Sequence, residues 1–147
     1  IQLHYKEDVR TITQLKELCS DAKIIKTVPH NLEDCILQSG KKSIEECAKK
    51  FEEAGADILL VDSRQPSNVT EKSKFLDENL FAKVKHSVKV PVMAAGGITP
   101  ENIIRLYEKL KPDYIDIMTG VEISPGHKSK IIIEKLKNVT DNFLCAL

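Results

Sequence analysis

At 147 residues the chain has room for one domain with a real core. Its 22 basic and 22 acidic side chains cancel to a formal charge of zero, which supplies no field for wrapping a phosphate backbone, so nucleic acid is not an expected partner. Hydrophobic residues at 41% make it too apolar for disorder, yet no run approaches the roughly 18 apolar residues of a membrane span, so no membrane partner is expected.

Ile1 to His4 reads as a strand. Because the chain opens on this apolar stretch rather than on Met or a polar leader, it is expected to be the C-terminal portion of something longer. Val9 to Leu18 carries a helical pattern, and Lys23 to Val28 is a second strand. Ser43 followed by Glu46 forms a capping box, after which Ile44, Cys47, Ala48 and Phe51 line one helix face until Gly55 closes it. Ala56 to Asp62 is a third strand, and its nearly continuous apolar run suits burial on both faces of a parallel sheet. A helix at about Asn79 to His86 leads to a strand at Val90 to Ala95. Thr99 as N-cap with Pro100 at the first helical position opens a helix whose stripe is Ile103, Ile104, Leu106, Tyr107 and Leu110, and Pro112 stops it. Tyr114 to Met118 is the fifth strand, and Lys128 to Lys137 a final helix burying Ile131, Ile132 and Leu136. Cys19, Cys35, Cys47 and Cys145 form no C-x-x-C pair, which argues against a thiolate metal site or a disulfide framework and fits a reducing cytoplasm.

The order is a βα unit repeated five times, with no composition shift to mark a second domain, so residues 1–147 are expected to form a single domain around a mostly parallel α/β sheet. A closed (β/α)8 barrel needs eight units and about 250 residues. The chain is therefore either an open doubly wound sheet or the last five-eighths of a barrel whose first three units are absent.

In parallel α/β folds the ligand gathers where the strands end. Here those positions hold Gln2 and His4, Thr27, Asp62 and Ser63, Gly96 and Gly97, then Asp116, Thr119 and Gly120. Gly96 and Gly97 lie between a strand and a helix, where amides unobstructed by Cβ atoms can approach an anion; the plainer account is a tight βα turn needing positive φ. Thr119 and Gly120 repeat the pattern one unit later, as in the phosphate sites that barrels build after strands 7 and 8. A phosphorylated small molecule is thus the expected ligand. Asp62 at a pocket mouth suits general acid work, although an Asp there could equally cap the turn through Ser63 and Arg64. Gln2 and His4, two apart on a strand, can face one pocket, while a lone His is more often structural than catalytic. His30, His86 and His127 share no metal-ligand spacing, and no metal is expected.

Taken together, Ile-Gln-Leu-His at 1–4, Leu-Val-Asp-Ser at 60–63, Ala-Gly-Gly-Ile-Thr-Pro-Glu-Asn at 95–102 and Asp-Ile-Met-Thr-Gly-Val-Glu-Ile-Ser-Pro-Gly at 116–126 resemble, in order and spacing, the phosphoribosylanthranilate isomerase (TrpF) family of tryptophan biosynthesis. The resemblance implies a TIM (β/α)8 barrel, with the chain holding strands 4 to 8 only. It also implies a cofactor-free isomerase that converts N-(5′-phosphoribosyl)anthranilate to 1-(2-carboxyphenylamino)-1-deoxyribulose 5-phosphate by an Amadori rearrangement. The family's general acid, which protonates the furanose ring oxygen, maps to Asp62. Its phosphate ligands map to Gly96, Gly97, Asp116, Thr119 and Gly120, with Thr119 where serine is usual.

Ring opening leaves an iminium that acidifies the C2′ proton. The family takes that proton with a cysteine in a Cys-Gly strand end, and none of the four cysteines here has that context. The family's arginine for the anthranilate carboxylate is absent as well. The base is therefore expected from missing N-terminal units, which, or another chain, would cover the open sheet edges. The family's Gly-Gly-x-Gly loop is replaced by a glycine-free stretch from Ser67 to Glu78, with Phe75 and Asp77 as its remnant, and His4-Tyr5 stands for His-Gly. Loss of those glycines bears on closure over substrate. Two rivals follow: a non-catalytic sugar-phosphate-binding homologue or partner module on the same fold, and a different phosphosugar barrel enzyme sharing only the phosphate cradle.

Overall fold

The structure, a computed structural model, describes residues 1–63 and 75–145. Five strands, β1 (Gln2–Leu3), β2 (Ile25–Thr27), β3 (Ile58–Asp62), β4 (Val92–Ala95) and β5 (Tyr114–Asp116), form one parallel sheet in the order β1-β2-β3-β4-β5. This order never reverses. A doubly wound sheet turns back at a switch point, whereas right-handed crossovers between strands laid down in sequence put all their helices on one face. The doubly wound alternative is thereby removed. Among the described residues six α-helices accompany the sheet: α1 (Val9–Leu18), α2 (Leu32–Ser39), α3 (Ile44–Glu53), α4 (Glu78–Ser87), α5 (Ile103–Leu110) and α6 (Lys130–Leu144). Successive members pack on one another, α3 against α2 and α4, and α5 against α6. None of the described helices is long and apolar enough to cross a membrane.

The pleat sorts side chains between two unlike faces. Toward the helices point Leu59, Val61, Val92 and Ala94, all fully buried with Ile12, Phe51, Phe81 and Val84 in the core. Burying one such Phe or Leu contributes roughly 2 kcal/mol. Lys26 shares that face and is also fully buried. Its Nζ donates to the Tyr5 carbonyl at 2.9 Å, pairs with Glu7 at 3.0 Å and lies 5.4 Å from the centre of the Phe51 ring. The opposite face carries Ile25, Ile58 and Met93, only half buried, and Tyr114, which is exposed. Among the described residues β1 pairs only with β2, and β5 only with β4.

Capping follows the sequence at α3, where the Glu46 amide donates to Ser43 Oγ at 3.1 Å and Gly55 takes a φ of 104° just past the end. Four readings need correction. Helix α2 was not anticipated: its apolar residues Leu32, Ile36 and Leu37 face water while Cys35 and Gln38 are buried, which inverts the periodic signal, although Asn31 caps it and Gly40 closes it. Helix α5 begins at Ile103 with Asn102 at its N-cap, because residues 99–102 form a turn instead of the first helical turn. A hairpin of β6 (Glu122–Ser124) and β7 (His127–Lys128) precedes α6, which starts at Lys130 behind its Ser129 cap. On α6, Ile131 is exposed while Ile132 and Leu136 are half buried.

Candidate active site

The ladder register brings the strand ends level. Thr27 lies opposite Leu60, Asp62 opposite Ala95, and Ala95 opposite Asp116. Since side chains paired across a parallel ladder share a face, Thr27, Asp62 and Asp116 emerge on the side away from the helices, and Gln2 joins them from β1. There Gln2, Asp62 and Asp116 border a hollow of about 290 Å³ whose walls also include His4, the 95–98 loop and residues 117–120, while Thr27 lines a smaller hollow on the other side of His4. Every sequence-predicted site residue, Gln2, His4, Asp62, Gly96, Gly97, Asp116, Thr119 and Gly120, lines this one cavity. No cysteine does: Cys35 and Cys47 are buried, and Cys19 and Cys145 are exposed away from it.

The two glycine loops are shaped by close approach. Gly96 has a φ of 104°, and a Cβ there would stand 1.9 Å from Ser63 Oγ and 2.8 Å from the Ser63 amide nitrogen, so only glycine lets the β3 and β4 ends touch. Gly97 follows with a φ of 64°. No described residue accepts a hydrogen bond from the amide of either glycine, which leaves two donors at the cavity wall. Asn102 clasps this loop: its Oδ1 accepts from the Thr99 amide at 2.9 Å while its Nδ2 donates to the Gly97 carbonyl at 2.8 Å. Gly120 admits no side chain either, because a Cβ would lie 1.7 Å from the Ile98 carbonyl oxygen. The loops after β4 and β5 are therefore locked against each other.

Across the cavity, Asp62 is buried at the end of β3. His4 Nε2 stands 3.6 Å from Asp62 Oδ2, and His4 Nδ1 is 3.1 Å from Thr27 Oγ1. His30 packs nearby, where burial pushes its imidazole down in pKa against the opposing pull of the Asp62 backbone and carboxylate. The sequence reading assigned no role to Thr27, Lys26 or Asn102. The signal for Lys26 was present: a strand lysine between Ile25 and Thr27, which both point away from the helices, must be buried against the helices with its charge paired. The Ser67-to-Glu78 loop reading falls largely outside the described residues; within them, Phe75 is exposed and Asp77 caps α4 through the Asn79 and Leu80 amides.

A family model for N-(5′-phosphoribosyl)anthranilate isomerase matches residues 1–141. The chain belongs to that family. The N-(5′-phosphoribosyl)anthranilate isomerase of Crocosphaera subtropica is 33% identical over 136 residues, a match covering 92% of this chain and 59% of the relative. The isomerase structure from Pyrococcus furiosus superposes with a TM-score of 0.62 at 25% identity, covering 97% of this chain and 62% of that one. The isomerase from Thermotoga maritima gives a TM-score of 0.67 over 96% of this chain and 60% of that one, a likeness of fold alone at 22% identity. The chain thus spans about 60% of the length of the isomerases it matches.

Proposed function

We propose that these five βα units are strands 4 to 8 of an isomerase-family barrel, forming one domain, and that their cavity is the acid and phosphate half of a site that rearranges N-(5′-phosphoribosyl)anthranilate. The observation that carries this reading is that Asp62 opens into the same cavity as Gly96, Gly97, Thr119 and Gly120. A phosphate held by the glycine amides and the Thr119 hydroxyl would leave the ribose lying toward Asp62. The Asp62 carboxyl gives its proton to the furanose oxygen, the C1′–O bond opens, and an iminium forms to nitrogen. The C2′ proton then leaves to a base supplied outside these units, since no thiol borders the cavity. Electrons from that C–H bond neutralise the iminium and give the enolamine, which tautomerises to the ketose. Gln2 and His4 complete the wall nearest the ring, and Asp116 stands beside the phosphate loops.

The half-buried Ile25, Ile58 and Met93 and the exposed Tyr114 support this reading, because inward-facing side chains of a closed barrel fill its interior in layers contributed by all eight strands. The remaining units, on the same polypeptide or on another chain, would cover these residues and pair with both sheet edges. The test is Asp62→Asn in the complete isomerase. Turnover should fall by about 10²–10⁴-fold while affinity for a phosphorylated ligand stays nearly constant, because only the transition-state proton transfer is lost. Tight binding of the substrate with no turnover by the unmodified protein would mark a binding-only homologue instead.

A further inference from the structure

Asp62 does not meet the cavity alone. Its Oδ2 lies 3.6 Å from His4 Nε2, close enough for an ion pair and longer than a hydrogen bond, a gap of the kind that tightens when substrate displaces water. The His4 ring reaches this position from β1, whose chain continues into Tyr5, and the buried Lys26 holds the Tyr5 carbonyl from the helix side of the sheet. From the cavity side the neighbouring β2 residue, Thr27, lies 3.1 Å from Nδ1 and is itself almost fully buried. Two consecutive residues of β2 thus grip the His4 segment from opposite faces.

The geometry points to Thr27 as a positioning residue that sets the His4 tautomer so that His4 and Asp62 share one transferable proton; the inference rests on the isomerase reading and adds a residue to it. An acid that has given its proton to the substrate must regain one before the next turnover. His4 can return it if the labile ring site is Nε2, the nitrogen that faces Asp62. The other ring proton must then stay on Nδ1, which requires an acceptor there, and the Thr27 oxygen is in place to be that acceptor. Counted through, imidazolium Nε2–H passes its proton to the Asp62 carboxylate, the ring becomes neutral with hydrogen on Nδ1, and Nε2 takes a new proton from solvent, which the C2′ proton released there by the base replaces. The His4 side chain is 29% exposed and Asp62 only 11%, so solvent reaches the histidine more readily than the acid it serves.

Thr27→Val keeps the shape and removes the acceptor; Thr27→Ser keeps the acceptor. In the full-length protein with ¹⁵N-labelled histidine, the neutral His4 ring should carry its proton on Nδ1 in the unmodified and Thr27→Ser forms and shift toward Nε2 in Thr27→Val. In the same proteins kcat should fall about tenfold for Thr27→Val, the scale of one hydrogen bond acting on proton transfer, with KM within about twofold and recovery in Thr27→Ser. A wild-type ring protonated on Nε2, or a tautomer unmoved by Thr27→Val, overturns the role given to Thr27. If the full-length protein turns over no phosphoribosylanthranilate at all, the isomerase reading fails, and the ring measurement still decides whether Thr27 sets the tautomer.

Discussion

Gly96 is a residue at which the cavity wall admits no side chain. Its left-handed φ of 104° disfavours any side chain, and the Ser63 backbone and side chain occupy the place of a Cβ. Gly96→Ala should therefore cost about 2 kcal/mol or more of stability and sharply weaken binding of a phosphorylated ligand, measured by denaturant unfolding and calorimetric titration. Gly40, with a φ of 72° but open space around it, supplies the comparison. Gly40→Ala should cost about 1 kcal/mol and leave ligand affinity alone. Equal effects at the two positions would mean that conformation alone, and not the contact of β3 with β4, makes Gly96 matter. The glycine pair was legible in the sequence, but its reason was not: the nearby Ser63 belongs to the preceding βα unit, and only the ladder register brings it there.

At the scale of elements, Asp57 joins three of them at the end of the sheet remote from the cavity. Its carboxylate takes hydrogen bonds from Lys16 on α1 at 2.6 Å, from the Ile24 amide before β2 at 2.8 Å and from Lys23 at 3.1 Å. Burial pushes its pKa up, but these donors together outweigh burial and bring it down to about 2. A carboxyl depressed in the folded state stabilises the fold above its unfolded value of 3.8, and that stability is lost as pH falls toward 2. The amount is on the order of 2 kcal/mol. Asp57→Asn should remove most of it at neutral pH and flatten the acid limb of the unfolding curve between about pH 4 and 2; an unchanged acid limb would show that Asp57 is not the group responsible. Elements of this kind reveal how far local pattern reaches. The five strands and helix α3 follow from periodicity and caps, because each has its apolar face toward the core. Helix α2 does not, since Leu32, Ile36 and Leu37 point outward, and the start of α5 is moved by the Asn102 clasp on Gly97, a contact that spacing alone does not predict.

For the whole molecule the decisive asymmetry lies between the two faces of the sheet. One is sealed by helices, while the other leaves Tyr114 in water, and the outer edges of β1 and β5 are unpaired among the described residues. Such a surface invites association. Purified by itself, the 147-residue chain should elute in light-scattering chromatography as concentration-dependent oligomers and bind apolar dyes; a dye-silent monomer at all concentrations would contradict this. The strictly sequential order of the strands has a consequence for biosynthesis. Each strand pairs with the one translated just before it, so every new unit leaving the ribosome, at about 5–20 residues per second, meets a template already made. Closing one βα loop at a time keeps the entropic cost of each step small. A sheet that reversed its order would have to wait for a late strand to return across the first. Here the sheet can grow from β1 to β5 without waiting, and the order of synthesis is the order of assembly.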